Sequence, residues 1–550
     1  MKTLLLHVPK LEDFYLPFGR YMNVNYMPMG LAGMAHYLNR SGHPSEILHA
    51  GVEKILDPGW RIAETVGDAD IGAIGLSLHW HYQAYDVGQT VKRIKEARPD
   101  VFVFLGGITA SYFGAEVLET YPDADGVVLG EGLEPARLLL DALDRNESPE
   151  SVPNLAWRRG DEIIVNPRRM LHEDSFLDAL PYADLSSLQN RDVYIRQFGF
   201  PLAYALELSP EENRRMMTMG RSFFPLFVGM GCQRVCSYCC GNARTQGKIN
   251  AGHRVYWRDQ DAVINDMKRA RSYGYRTLAL CFDPLPESTT YFVELFARMK
   301  RETPDMDLYF ECWGLPEPAF IDAFAAAFDP PHSYLALSPD TGNDEIRRRN
   351  KGHIYTTTEF LACADRLKER GIQMDVFFSL GFPGETSETA LETRDLMRQV
   401  AEACDNVRRL MVWAVQLEPG SPMFEAPEDW GIESERRHLI DFVRAHGERG
   451  DAYSVLGYKL PGFFGDDRDS GSVEDFERHF QQFKCMEFCF HSKDPRVYNH
   501  PHIGREECLK KRQMLARRRG ESRPIEPISD TFTHACALAE DRPGDKRMEV

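Results

Sequence analysis

Gly229-Met230-Gly231-Cys232-Gln233-Arg234-Val235-Cys236-Ser237-Tyr238-Cys239 sets the terms for the rest of this chain. Its three cysteines stand at C-x3-C-x2-C, with an aromatic residue just before the third. Three thiolates at that spacing hold three irons of a cubic [4Fe–4S] cluster and leave the fourth iron without a protein ligand. An open iron is a place for a small molecule to bind and receive an electron. Structural zinc sites close four ligands, usually as two C-x2-C pairs, and ferredoxin clusters use four cysteines. The run fits neither. The competing reading is a partly filled zinc site or a chance cluster.

The surroundings of the run are regular. A strand over about 223–228 leads into it. Helices are expected over about 260–273, 289–302, 317–328, 357–370 and 387–403. Strands are expected over about 277–282, 307–313, 333–337, 374–380 and 407–416. Six βα repeats make a partial barrel, whose active residues belong at the carboxyl ends of the strands. Ahead of it, residues 1 to about 145 also alternate strand and helix. Near-continuous apolar runs at about 3–8, 71–78, 101–105 and 125–129 read as strands buried on both faces. Helices are read at about 31–38, 89–97 and 135–143. This is a parallel, doubly wound α/β sheet. Gly106-Gly107 and Gly130/Gly132 fall just past the strand ends, where ligands approach an open α/β sheet; they serve equally well as tight turns. Between the two series, residues 146–220 read as a linker with a small hairpin at about 154–158 and 162–166.

Composition narrows the function. The 550 residues suffice for two to four domains, with 43% hydrophobic residues. No run is long and apolar enough to span a membrane, and the N-terminus reads as a first strand, with no signal-peptide cleavage site. Twelve cysteines in a large chain without a secretion signal argue for reduced thiols, metal work and the cytoplasm. A net charge of −18 argues against a nucleic-acid-binding surface. The one basic stretch, Lys510-Lys511-Arg512 and Arg517-Arg518-Arg519, reads as an exposed helix face. From about 520 the chain is rich in Pro, Asp and Arg and is expected to be flexible.

With these residues in view, the chain resembles the radical S-adenosylmethionine (SAM) enzymes that carry an N-terminal cobalamin (B12)-binding domain. Beyond the cysteines, Asp340-Thr341-Gly342-Asn343-Asp344-Glu345 with Asn350-Lys351-Gly352 resembles the family's "ESGSDE…NKG" stretch. Gly381-Phe382-Pro383-Gly384-Glu385-Thr386 resembles its "GxPGET" turn, and Glu418-Pro419-Gly420-Ser421-Pro422 its "PGTP" turn. Pro28-Met29-Gly30-Leu31, Gly75-Leu76-Ser77, Leu105-Gly106-Gly107 and Gly130-Glu131-Gly132 resemble the cobalamin-binding-type domain. The matches span about residues 1–425.

The resemblance implies a fold of four parts: a Rossmann-like cobalamin-binding-type domain (1–150), a linker (151–220), a partial (β/α)6 radical SAM barrel (221–425) and a mostly helical C-terminal extension with a flexible tail (426–550). It implies a [4Fe–4S] cluster on Cys232, Cys236 and Cys239 whose open iron chelates SAM. One electron, from an external reductant such as flavodoxin or ferredoxin, then breaks SAM to a 5′-deoxyadenosyl radical that takes a hydrogen from a small-molecule substrate. It implies SAM contacts from Tyr238, Phe282, Asp283, Glu311, Ser338 and Asp340. Cobalamin contacts are implied at Ser77, Leu78, His79, Gly106, Gly107, Gly130, Glu131 and Gly132.

The resemblance has departures. Asp340 stands where the family usually has Glu, and Gly130-Glu131-Gly132-Leu133 replaces "GEGE". The cobalt-ligating D-x-H-x-x-G motif of another cobalamin class is absent. His79-Trp80-His81 faces a corrin ring or is a loop satisfied by backbone. Cys240 reads as a spectator, and Cys363, beside Phe360 and Leu367, as core. Cys485, Cys489 and Cys508 form a second metal site, supply a thiol or are simply buried; the sequence around Cys508 bears a faint likeness to the thiol motif of a carboxypropyl-transferring radical SAM enzyme. The expected reaction is methylation of an unactivated carbon of a small biosynthetic substrate. The alternatives are cobalamin-independent cyclisation, rearrangement or 3-amino-3-carboxypropyl transfer, and, outside catalysis, an Fe–S-binding scaffold.

Overall fold

The computed structural model describes residues 1–9, 27–57, 59–67, 70–168, 170–197, 223–284, 286–329, 332–447, 456–460 and 483. Chain contacts divide into two compact units. The first comprises Met1–Leu280, Leu417–Pro427 and Ser434–Tyr458; the second comprises Cys281–Gln416, Glu428–Glu433 and Lys459–Val550.

The first unit is built on a seven-stranded sheet. Its strands are β1 (Thr3–His7), β2 (Ser45–His49), β3 (Ala73–Ser77), β4 (Phe102–Gly106), β5 (Gly126–Val128), β6 (Leu155–Arg159) and β7 (Glu162–Val165), in the order β2-β1-β3-β4-β5-β6-β7. The first five are parallel, with Leu5 opposite both Ile47 and Gly75, Leu76 opposite Leu105, and Leu105 opposite Val127. The order 2-1-3-4-5 is doubly wound, with its switch point between β1 and β3. All of β1 is buried, as expected for a strand covered on both faces. The helix Ala84–Ala97 turns Val87, Val91 and Ile94 inward at helical spacing. The β6–β7 hairpin extends the sheet antiparallel to β5, pairing Val127 with Ala156.

The same unit holds β8 (Phe223–Pro225) and the short antiparallel pair β9 (Gly229–Met230) and β10 (Tyr256–Trp257), which closes the base of the cysteine loop. β8 pairs in parallel with the start of β11 (Thr277–Phe282). Asp259 caps the intervening helix Gln260–Ser272 by accepting from the Asp261 and Ala262 amides.

β11 ends in the second unit, which continues with β12 (Asp307–Cys312), β13 (Tyr334–Asp340), β14 (Gln373–Leu380) and β15 (Val407–Ala414). These strands pair in parallel, and the sheet order β15-β14-β13-β12-β11-β8 keeps chain order, as a partial βα barrel requires. The helices Pro286–Glu302 and Pro318–Ala327 cover it through fully buried Phe292, Phe296, Phe310, Phe320 and Phe324, packed edge to face. No helix among the described residues is long and apolar enough to cross a membrane. Of the expected C-terminal extension, the helices Pro427–Trp430 and Leu439–Gly447 are described; Cys485, Cys489, Cys508 and the basic stretch at 510–519 lie outside the described residues.

Candidate active site: the cysteine loop, the sheet edge and the strand ends

The cysteine loop is shaped by its backbone. Gly231 has φ +88°, and a Cβ there would sit 2.1 Å from the Arg254 carbonyl, so the β9–β10 closure admits only glycine. Backbone amides point at two of the sulfurs: Arg234 N–H to Cys232 Sγ at 3.3 Å and Gly241 N–H to Cys239 Sγ at 3.2 Å. Such donors favour thiolate and tune cluster potential. Burial, then the charges of Glu418 and Cys236, push the Cys239 thiol pKa far up, against the Gly241 amide, which lowers it. Iron charge would reverse that balance. No three His, Cys, Asp or Glu side chains among the described residues converge on a single ion; in a cubic cluster each thiolate meets a different iron. This donor set fits the cluster.

Residues from far along the chain complete the loop. Glu418 Oε2 accepts from the Cys240 amide at 2.8 Å, and burial raises the Glu418 pKa. The Ser237 carbonyl accepts from Met423 N–H at 3.0 Å, and Thr245 Oγ1 donates to the Gly420 carbonyl. Tyr238 is half-buried beside Ser237. The turn at 418–422 is therefore part of the cysteine site, a role that its likeness to a family motif did not by itself assign.

The expected cobalamin residues all lie at the carboxyl edge of β3, β4 and β5. Leu78 N–H donates to the Gly106 carbonyl at 2.8 Å, and the His79 carbonyl accepts from the Thr109 hydroxyl at 2.9 Å. The His79 backbone is thus satisfied, and its ring meets that of Trp80 edge to face at 4.7 Å. His7, at the end of β1, is buried, with no hydrogen bond to Nε2 among the described residues; burial, then His79, pushes its pKa down to about 4. Gly107, φ +109°, is held by the fold itself, since a Cβ would lie 2.7 Å from the Leu78 carbonyl. Gly106 faces open space, with nothing closer than 3.7 Å to a built Cβ. An unpartnered ring nitrogen beside an open glycine edge suits a large polar ring.

Glu131 is engaged within the protein. Its carboxylate accepts from the His172 amide at 2.7 Å, meets the His172 ring at 2.9 Å and pairs with Arg254 at 3.3 Å. Burial would raise its pKa, but these partners hold it below the usual range. Arg254 follows the cysteine loop, so this contact ties loop to sheet edge. Arg168 adds a second tie, donating to the Ser111 carbonyl at 3.0 Å and to Ile249 at 3.1 Å. A third runs through Glu425, which takes Lys248 at 2.8 Å and the Tyr112 hydroxyl.

The remaining expected residues belong to the second unit. Phe282 is buried and packs on Trp313 at 5.3 Å. Asp283 is buried, with Oδ2 3.2 Å from His353 Nε2. Asp340, at φ +63°, gives its carboxylate to Lys351 Nζ at 2.6 Å; the same ammonium donates to the Ser338 carbonyl at 2.5 Å, which also accepts from the Tyr355 hydroxyl. Lys351 thus locks the β13 turn. Glu311 accepts from the Tyr309 hydroxyl at 3.1 Å; burial raises its pKa, and Asp375 adds to the rise against Tyr309, Cys281 and Lys351. Trp313 Nε1 donates to the exposed Cys281 thiol at 2.8 Å. The fully buried Asp375 carboxylate has no hydrogen bond among the described residues, with Arg408 and Arg409 as its charge partners. Sequence reading did not single out Cys281, Trp313, His353 or Asp375; Cys281 and Asp375 are polar residues on barrel strands, Trp313 just follows one, and His353, in the loop between two helices, leaves no such signal.

A three-thiol loop with an open coordination site, set in a parallel βα series, defines an iron–sulfur enzyme. Residues 226–397 match the Radical SAM superfamily and residues 21–140 the B12 binding domain. The chain is a radical SAM enzyme with an N-terminal B12-binding domain, and its cofactors are a [4Fe–4S] cluster, SAM and cobalamin. It is 23% identical over 425 residues to tRNA-2-methylthio-N(6)-dimethylallyladenosine synthase of Opitutus terrae, covering 72% of this chain and 79% of that one. It is 22% identical over 294 residues to cytidylyl-2-hydroxyethylphosphonate methyltransferase of Streptomyces wedmorensis, covering 50% of this chain and 54% of the relative, about half its length. In fold it is similar to TsrM, a radical S-adenosylmethionine methyltransferase from Kitasatospora setae solved with cobalamin and a [4Fe–4S] cluster bound. That likeness has a TM-score of 0.57 and 18% identity, and covers 87% of this chain and 85% of that one.

Proposed function

We propose that this enzyme transfers a methyl group to an unactivated carbon of a small biosynthetic substrate. The supporting observation is the triple tie between the cysteine loop and the carboxyl edge of the N-terminal sheet: Glu131–Arg254, Arg168 across Ser111 and Ile249, and Tyr112–Glu425–Lys248. Residues suited to the cluster and residues suited to cobalamin are clamped together in one compact unit, as a reaction drawing on both demands. Methyltransferases among the similar proteins support the same reading.

When bound, the cluster and SAM supply an electron and a 5′-deoxyadenosyl radical, and cobalamin supplies the methyl group. The chain's part is to hold and to shield. Cys232, Cys236 and Cys239 hold the irons, with the Arg234 and Gly241 amides steadying the sulfurs. Tyr238, Phe282, Asp283, Glu311, Ser338 and Asp340 are assigned to SAM, with Asp340 and Ser338 acting through the turn that Lys351 fixes. Ser77, Leu78, His79, Gly106, Gly107, Gly130, Glu131 and Gly132 are assigned to cobalamin, with the Glu131 carboxylate held by His172 and Arg254. Functional boundaries are placed at about residues 150, 220 and 425. The partners are a small-molecule substrate and an external one-electron reductant, in the cytoplasm.

Anaerobic purification with cobalamin supplied, followed by an absorption spectrum and an iron and cobalt count, tests this. About four irons and one cobalt are expected, and methyl-deuterated SAM should then label a product while 5′-deoxyadenosine accumulates. Iron without cobalt would remove methyl transfer and favour cobalamin-free cyclisation, rearrangement or carboxypropyl transfer.

A further inference from the structure

Phe310 of β12 faces outward, because its ring packs against Phe292, Phe296 and Phe320 on the covering helices. Successive strand residues alternate faces, so Tyr309 and Glu311 point into the barrel. Register carries that inner face across the sheet: Glu311 is opposite Ala336, Ala336 opposite Asp375, and Asp375 opposite Arg409. These residues form one inward layer on β12, β13, β14 and β15. Toward the carboxyl ends the same face continues as Phe377 beside Met411 and Ser379 beside Trp413. Phe377, Ser379 and Trp413 are only half-buried, whereas the outward-facing Val376, Phe378, Leu380 and Val412 are fully buried. A filled barrel interior would bury both sets; here the interior above the layer leaves room.

The layer carries a distinctive set of charges. Pairing slips after Met374, so that Met374 is opposite Val407 while Asp375 is opposite Arg409. Arg408 is the extra residue of that bulge, and bulges re-aim side chains. Its guanidinium sits over the inward Tyr334 ring, 3.3 Å from the ring centre, so consecutive arginines serve the same face. The Asp375 carboxylate is fully buried and makes neither hydrogen bond nor ion pair among the described residues. Arg408 Nη1 is likewise buried without a hydrogen bond among them. Native proteins rarely leave buried polar atoms so. Glu311 lies across from Asp375 with only the Ala336 methyl between them, their backbones being separated by two strand spacings, about 10 Å. The formal charges of Glu311, Asp375, Arg408 and Arg409 cancel.

Unmet acceptors beside unmet donors suit a ligand that carries both kinds of group. An amine alone or an acid alone would add net charge to a buried layer that has none, and an uncompensated buried charge is costly. A zwitterion adds none. We propose that this layer receives the headgroup of a free α-amino acid, its ammonium between Asp375 and Glu311 and its carboxylate on Arg408 and Arg409. Ammonium and carboxylate on one carbon match an acceptor and a donor on neighbouring strands about 4.8 Å apart. The side chain then runs up past Phe377 and Trp413, which suits an apolar or aromatic one. Glu311, assigned above to SAM, would border both molecules. The inference rests on the methyl-transfer reading and names the substrate class for that reaction.

The test is calorimetric titration of L-phenylalanine, L-tyrosine, L-tryptophan, L-leucine and L-methionine into the full-length, anaerobically reconstituted enzyme, with SAM present and no reductant. At least one should bind, and its decarboxylated amine and its deaminated acid should each bind about 10–100-fold more weakly. Asp375→Asn should bring the amino acid down to the affinity of the deaminated acid, and Arg408→Gln down to that of the amine. In a parallel dithionite-reduced sample, the SAM-dependent change in the cluster's electron paramagnetic resonance spectrum checks that each variant keeps its fold. No binding by any of these amino acids, equal affinity of the wild type for amino acid, amine and acid, or unchanged selectivity in the variants would overturn the proposal. Methyl-deuterated SAM separates the two readings. Selective amino-acid binding without a labelled product would keep the headgroup site and remove methyl transfer. Label in a product that lacks an α-amino acid headgroup would do the reverse.

Discussion

Glu385 carries a conflict that titration will expose. It closes the Gly381–Glu385 turn by accepting from the Gly381 amide at 2.7 Å and the Phe382 amide at 3.2 Å, yet burial drives its pKa up to about 8. The folded chain therefore holds this proton over a range in which an unfolded carboxyl, with a pKa near 4.3, has released it. Stability from this group is full below that ordinary value and declines as pH rises through about 8. Urea unfolding between pH 5 and 8.5 should show that decline in the wild type, and Glu385→Gln should flatten it. An unchanged slope in the variant would place the carboxylate in an ionised, fully satisfied state. Lys351 illustrates a different residue-scale device, one ammonium serving both Ser338 and Asp340 and so fixing a turn whose aspartate stands at positive φ.

At the scale of elements, the sheet of the second unit is held by aromatic packing. Phe296 meets Phe310, Phe320, Phe324 and Phe328 at centroid distances of 5.1–6.2 Å, joining two helices to β12. Phe296→Ala should cost about 3–5 kcal/mol, read as a lower urea midpoint, with the iron count per folded chain unchanged. The strands of both series were legible because parallel strands buried on both faces are continuous apolar runs with no rival periodicity. Ser45–His49 was not, because Ser, Glu and His flank only two apolar residues; it becomes a strand through its pairing with β1. The helices Ile108–Phe113 and Glu116–Thr120 are too short for their spacing to stand out. The two-residue pair β9–β10 leaves almost no sequence trace, although it shapes the cysteine loop. The cysteines point to a cluster through their spacing. The partners of Cys240 and Glu131 give no such sign, because Glu418 and Arg254 are distant in sequence and reach them only in the folded chain.

For the whole molecule, loading is the quantity to measure. A ligand present at about a hundred times its Kd stabilises the unit that binds it by about 2.7 kcal/mol. Cobalamin added to the full chain should therefore slow amide exchange at 77–79, 106–107 and 130–132 and in the cysteine loop, which the Glu131, Arg168 and Glu425 ties join to that edge. The phenylalanine core at 292–324 should be unaffected. Slowing confined to the phenylalanine core would move the cobalamin edge elsewhere.

The bond between the Cys240 amide and Glu418 spans 178 positions of the chain. At synthesis rates of about 5–20 residues per second, roughly 10–35 seconds separate the emergence of the cysteines from that of the turn that braces their loop. During that interval the nascent thiols stand uncovered on the ribosome. Assembly machinery that delivers preformed clusters after release meets a finished cradle, whereas oxygen or stray metal reaching the chain earlier meets an open one.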